Sequence, residues 1–207
     1  MRLRRRVALM AALLLSTTAC GYNRIQELDE AVNAAQGQIE VQLQRRSDLI
    51  PNLVNTVKGF AQQEATIFTQ IAQANSGLRS ALARPGGADP EELANANARL
   101  TGVMGPFMTM IQAYPELRSN EQFLNLQAEL TGTENRIGVS RQDYNTSVQS
   151  YNTYIRQFPA AMTAKFTGAK PRKMFQVTDP GARDVPTVDF GTGATPAPAA
   201  PAPTKTP

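Results

Sequence analysis

The sequence contains no histidine and no tryptophan, and a single cysteine among 207 residues. Each absence closes off a kind of chemistry. Without histidine there is no side chain that titrates near neutral pH as a general base, and the commonest metal ligand is missing, so Ser-His-Asp and Cys-His arrangements are excluded. One thiol, Cys20, can build neither a cysteine-ligated zinc site nor a disulfide within the chain, so packing has to hold the fold. There is no glycine-rich phosphate loop of the Walker or dinucleotide type. No catalytic residue, cofactor or metal is therefore expected. β-Branched residues alternating with period two, the mark of a sheet, are also absent, which leaves an all-α class.

The amino terminus reads as an address. Met1-Arg2-Leu3-Arg4-Arg5-Arg6 is followed by Val7 to Leu15 without a polar residue, the charged and apolar regions of a secretory signal. That run is too short to span a bilayer, which takes about 20 residues of helix. It ends at Ser16-Thr17-Thr18-Ala19-Cys20, which resembles the lipobox of bacterial lipoproteins, with Thr17 where leucine is usual. The expectation is a signal peptide over 1–19, lipidation at Cys20, and a membrane-anchored protein on the extracytoplasmic side of the bacterial cell envelope. An ordinary cleaved signal with a free thiol, or an uncleaved anchor, are the alternatives. Four of the 21 Lys and Arg residues, and none of the 17 acids, lie in positions 1–19, so the remainder is balanced in charge. The basic pI of 9.5 belongs to the signal, and no nucleic-acid partner is expected.

Four helical segments can be read from the apolar spacing. The first, from about Tyr22 to Arg46, carries Ile25, Leu28, Val32, Ala35, Ile39 and Leu43 on one face. Ser47-Asp48 ahead of Pro51 is a helix-start signal, which predicts a turn at 47–48, a single helix kinked at Pro51 being the alternative. A second segment then runs through Leu53, Val57, Phe60, Ile67, Ile71, Ala74, Leu78 and Leu82. Asp89-Pro90-Glu91-Glu92 opens a third, with Leu93, Leu100, Val103, Phe107, Met110 and Ile111 as its apolar face and Pro106 as a bend.

The fourth segment repeats Phe123, Leu130, Ile137, Tyr144, Tyr151 and Phe158 at intervals of seven, the pattern of a packing seam. Its companions Thr133, Ser140 and Ser147 are small and weakly polar, allowing a neighbouring helix close. The whole predicts an elongated antiparallel bundle of about four helices over 20–178, with Phe175 and Val177 docking on it. A disordered Pro/Ala/Thr-rich tail is predicted over 179–207, since that composition buries too little apolar surface to fold.

Several blocks resemble the LemA family. They are Tyr22-Asn23, the run Val41-Gln42-Leu43-Gln44-Arg45-Arg46-Ser47-Asp48-Leu49-Ile50-Pro51-Asn52-Leu53-Val54, and Thr56-Val57-Lys58-Gly59-Phe60. Tyr114-Pro115-Glu116-Leu117, Phe123-Leu124-Asn125-Leu126-Gln127, Thr133-Glu134-Asn135-Arg136-Ile137, Tyr144-Asn145, Tyr151-Asn152 and Phe158-Pro159 continue the match in order. The resemblance implies a membrane-attached helical protein for which no general enzymatic activity is established. Typical members keep an amino-terminal transmembrane helix, whose place the short signal and Cys20 take here.

The densest polar blocks nominate Arg45, Arg46, Asp48, Glu134, Asn135 and Arg136 as interaction or structural residues, either as a partner surface or as a helix cap with interhelical salt bridges. Asn145 and Asn152 follow seam tyrosines and are expected to serve the buried hydroxyls or to bond across helices. Three functions compete: a non-catalytic scaffold or protein-interaction module with other envelope proteins as partners; an enzyme or accessory acting on peptidoglycan or lipid through carboxylates such as Glu134, Glu40 or Asp48; and a sensor or carrier with a ligand cavity beside Thr133, Ser140 and Ser147.

Overall fold

The computed structural model describes residues 2–85 and 87–179, with side chains from residue 21 onward. Among the described residues there are six helices and no strands: α1 (Arg2–Lys58), α2 (Ala65–Leu82), α3 (Pro90–Ile111), the single turn α4 (Pro115–Arg118), α5 (Glu121–Tyr154) and α6 (Ala160–Thr167). The all-α class is observed, and α1, α2, α3 and α5 carry the bundle. The Cys20 side chain and the tail beyond residue 179 lie outside what is described, so the predicted lipidation and disorder are not addressed by the fold.

α1 and α5 are the most extensive packing partners. They run antiparallel, because Glu134 of α5 meets Arg46 of α1 while Arg136 reaches back to Gln42. From α5 the seam buries Phe123, Leu130, Ile137, Tyr144 and Tyr151. From α1 a second series at intervals of seven meets it: Ile25, Val32, Ile39, Arg46 and Leu53 are all buried, with Leu43, Ile50 and Val57 filling between them. One member of that series is charged. α5 spans 34 residues, about 51 Å at the helical rise, and α1, with 57, is longer still.

The α5 seam ends sooner than its spacing predicts. Phe158 stands beyond the helix and is 83% exposed. Pro159 follows it, cannot donate an amide to the last turn, and disfavours helical backbone at the residue before it. Asn120 caps the other end, its side chain accepting the Phe123 amide at 3.0 Å.

The turn predicted at 47–48 is not there. α1 passes unbroken through Ser47, Asp48 and Pro51 to Lys58, and the chain turns at 59–64 instead. The start signal fails because its capping groups are otherwise employed. Pro51 lacks the amide that would bond the Ser47 carbonyl, and the Asn75 side-chain amide of α2 donates to that carbonyl at 3.1 Å in its place. The real turn carries little punctuation: Glu64 precedes α2 without a side-chain cap, and Phe60, predicted on the apolar face, is 40% exposed, while Ala61 plugs the core.

α2 folds back along α1, and α3 back along α2, with Phe68 and Phe107 in edge-to-face contact at 6.3 Å. The helix start predicted at Asp89 is present: its carboxylate accepts the Glu91 amide at 2.9 Å and the Glu92 amide at 3.4 Å, with Pro90 in the first turn. After α6 the chain leaves helix at Gly168, whose φ of +73° suits glycine. Residues 169–179 then run extended over the bundle as a strap.

Candidate functional site

A polar layer crosses the middle of the bundle, with one residue from each long helix standing where the apolar stripe calls for a hydrophobic one. On α1 it is Arg46, between Leu43 and Ile50; on α2 Asn75, between Ile71 and Leu78; on α3 Asn97, between Leu93 and Leu100; on α5 Thr133, between Leu130 and Ile137. Arg46 is 5% exposed. Its Nη1 donates to Asn97 Oδ1 at 2.5 Å and lies 2.7 Å from Glu134 Oε2. A buried guanidinium is tolerable only with such partners. Burial lowers its affinity for the proton and Glu134 opposes the fall.

The layer extends outward on both sides. Arg136 donates through Nε to Gln42 Oε1 at 3.1 Å and through Nη2 to Thr133 Oγ1 at 3.0 Å. Across the molecule, Arg79 of α2 donates to Ser47 Oγ at 3.0 Å and to Asp48 Oδ1 at 2.9 Å, while Gln44 also donates to Asp48. Asn75 Oδ1 is buried without a hydrogen-bond partner.

The strap makes a second polar constellation, and asparagines dominate it. Asn152 accepts the Arg172 amide at 2.8 Å and donates to the Arg172 carbonyl at 2.9 Å. Asn145, seven residues earlier and so on the same face of α5, treats Phe175 likewise, at 2.9 Å and 3.4 Å. Asn95 of α3 accepts the amides of Thr178 and Asp179 at 3.0 and 3.2 Å. The clamped positions 172, 175 and 178 are three apart, the repeat of an extended chain with three residues per turn. These contacts replace the sheet ladder that the strap lacks.

Side chains complete the attachment. Tyr144 Oη donates to the Lys173 carbonyl at 2.8 Å, and Arg172 pairs with Asp29 of α1 through two bonds of 2.9 Å. Lys173 Nζ lies 3.0 Å from both Asp89 and Glu91 at the start of α3. Burial pushes the Tyr144 phenol up to about 12. Hydrogen bonds that Lys173 donates to Asp89 and Glu91 raise its ammonium. For Asp89 burial acts upward, but the Lys173 bond and the two helix amides outweigh it and hold the carboxyl below its usual value.

The nominated residues therefore fall into three groups. Arg46, Asp48, Glu134 and Arg136 belong to the polar layer or its rims. Asn145 and Asn152, expected to serve the tyrosine hydroxyls or to bond across helices, instead clamp the strap's backbone at residues 172 and 175. Arg45 and Asn135 are exposed on the bundle's surface. Sequence reading missed Asn75, Asn97, Asn95 and Arg79. For Asn75 and Asn97 the signal was present, as a lone amide inside an apolar stripe. Asn95 and Arg79 announce themselves only through partners distant in sequence.

The arrangement is suited to holding helices and a strap in register. Among the described residues no three or more acids and cysteines gather as metal ligands, and no helix is long and apolar enough to cross a membrane. The clefts are open and polar: one of about 790 Å³ lies between the end of α1 and the start of α5, lined by Asn52, Asn55, Glu121, Gln122 and Asn125. Another, of about 680 Å³, is flanked by the strap, Glu40 and Asp89.

Among known proteins, magnetosome proteins MamQ 1 and MamQ 2 of Paramagnetospirillum magneticum are each 27% identical over 190 residues, covering 82% of this chain and 68% of theirs. Magnetosome protein MamQ of Magnetospirillum gryphiswaldense is 26% identical over 182 residues, covering 78% of this chain and 66% of its own. The model of the LemA family matches residues 35–190, which take in the polar layer and the strap. This chain belongs to the LemA family.

Proposed function

We propose that the protein is a non-catalytic envelope scaffold, held at a membrane by its amino terminus through a lipid on Cys20, whose bundle presents surfaces to other envelope proteins. The observation that carries this reading is the internal employment of the polar residues. The carboxylates that an enzyme acting on peptidoglycan or lipid would recruit are each engaged: Glu134 on buried Arg46, Asp48 on Arg79 and Gln44, and Glu40 on Gln36. Carboxylates so distributed do not converge as an acid and base pair would. Thr133 is likewise fully buried, its hydroxyl donating to the Glu129 carbonyl at 2.8 Å, which argues against a cavity beside it.

Membership of a family without an established activity supports the same reading, as does the likeness to proteins named for the magnetosome. The Arg2–Arg6 cluster and the Val7–Leu15 run supply the export signal, and Cys20 the attachment. Crosslinking in intact envelopes followed by mass spectrometry tests the proposal. Lys58, exposed at the end of α1 far from the amino terminus, is expected to link reproducibly to a small set of envelope proteins. Recovery of no partner, with the chain itself well sampled, would contradict the reading.

A further inference from the structure

α6 is amphipathic in the wrong direction for a helix that meets only water. Its inner face consists of Ala160 and Ala164, both buried, and these small residues let it close on the start of α1, where a Cβ on Gly21 would stand 3.4 Å from Thr163 Oγ1. Its outer face carries Met162, 56% exposed, and Phe166, 88% exposed, one turn apart on a single stripe. Phe158, in the turn before it, is 83% exposed. A helix on a soluble bundle buries its largest apolar residues; this one buries alanine and presents methionine and phenylalanine together.

The charge along this segment of the chain has one sign. Residues 144–178 contain five Lys or Arg and no Asp or Glu. Arg172 and Lys173 turn inward to Asp29, Asp89 and Glu91, while Arg156, Lys165 and Lys170 are exposed. The position is equally particular. Gly21, against which α6 rests, is the residue next to Cys20, so the face stands beside the proposed lipid.

We propose that the outer face of α6 docks on the lipid surface, with Phe158, Met162 and Phe166 in the boundary between headgroups and acyl chains and Arg156, Lys165 and Lys170 toward anionic headgroups. The proposal rests on the membrane-tether reading for its location and adds to it a second, independent contact. A lipid on one residue leaves the rod free to swing; an apolar and basic face beside it adds to the attachment and fixes the bundle's orientation.

The absence of tryptophan makes the test direct. Phe166→Trp in the full chain installs one reporter, and Val139→Trp, at a site 60% exposed on α5, roughly 22 Å of helix from its end near α6, installs another. Each is reconstituted with vesicles of phosphatidylcholine and phosphatidylglycerol, brominated on the acyl chains or not, and recovered by flotation. Brominated lipid is expected to quench the Phe166→Trp emission and leave Val139→Trp unchanged. Adding Lys165→Glu and Lys170→Glu should weaken the quenching. A chain that floats while Phe166→Trp emission is the same in both lipids overturns the docking and leaves the tether standing. Failure to float overturns both. A blue shift without vesicles that grows with protein concentration assigns the face to a second copy of the chain and also overturns the proposal.

Discussion

At the scale of single residues, the most instructive group is the Ser47 carbonyl. Pro51 removes its helical donor, and Asn75 supplies a replacement from another helix. Losing the replacement leaves a buried carbonyl unsatisfied, so Asn75→Ala should lower stability by about 1–3 kcal/mol in denaturant unfolding. Restoring the backbone donor ought to compensate: Pro51→Ala added to Asn75→Ala is expected to recover most of that loss. If Pro51→Ala is merely additive, the exchange of donors is not what keeps α1 unbroken. Arg46 offers a graded comparison. It is buried against a half-exposed Glu134, whereas Arg79 and Asp48 are both about half exposed. Double-mutant cycles to alanine should give a coupling of about 1–3 kcal/mol for Arg46 with Glu134. For Arg79 with Asp48 they should give less than about 1 kcal/mol. Equal couplings would show that burial does not set the difference.

At the scale of elements, the strap is the part whose attachment can be dissected. Asn145→Ala with Asn152→Ala removes the clamps on Arg172 and Phe175, so those two amides should exchange with deuterium much faster while the α5 interior keeps its protection. Unchanged protection at residues 172 and 175 would contradict the clamp. Charge holds the same strap, and its pH dependence has a definite sign. Asp89 is lowered in the fold, so its contribution is present above the ordinary carboxylate pKa and is lost as pH falls through the lowered one. Lys173 and Tyr144 are raised, so theirs are present below their ordinary values of 10.5 and 10.0 and are lost as pH rises through the folded ones, about 12 for Tyr144. Thermal unfolding should therefore weaken at both extremes. Lys173→Met should reduce the acid loss, because Asp89 no longer has its cation, and an unaltered acid limb would count against the pairing.

Elements also mark how far the sequence could be read. The α5 seam and the Asp89-Pro90 start were legible because periodicity and capping are local. The turn at 59–64 was not, since its chemistry is plain and the start signal at 47–51 is satisfied by Asn75 and Arg79, which lie about thirty residues away. The same distance hid the polar layer. Arg46 and Glu134 stood out as a dense polar pair, but the stripe amides Asn75 and Asn97 gain meaning only once four helices are brought to one level. Asn145 and Asn152 were found for the right neighbourhood and the wrong partner, because an extended segment has no periodic signature of its own.

At the scale of the molecule, three features combine: a rod of antiparallel helices set in register by a buried polar layer, a strap that fastens its flank, and an amino terminus proposed to hold one end at a membrane. The first two are described by the fold, and the third carries the function proposed for it. A rod fixed at one end positions surfaces along its length, which is what a scaffold among envelope proteins requires, and a polar layer at an otherwise apolar seam favours one register over its neighbours. The most direct test is the intact mass of the full chain purified from bacterial membranes. The account predicts a mass that begins at Cys20 and includes covalently attached acyl chains; an unmodified Cys20, whether residues 1–19 are retained or removed, would contradict it.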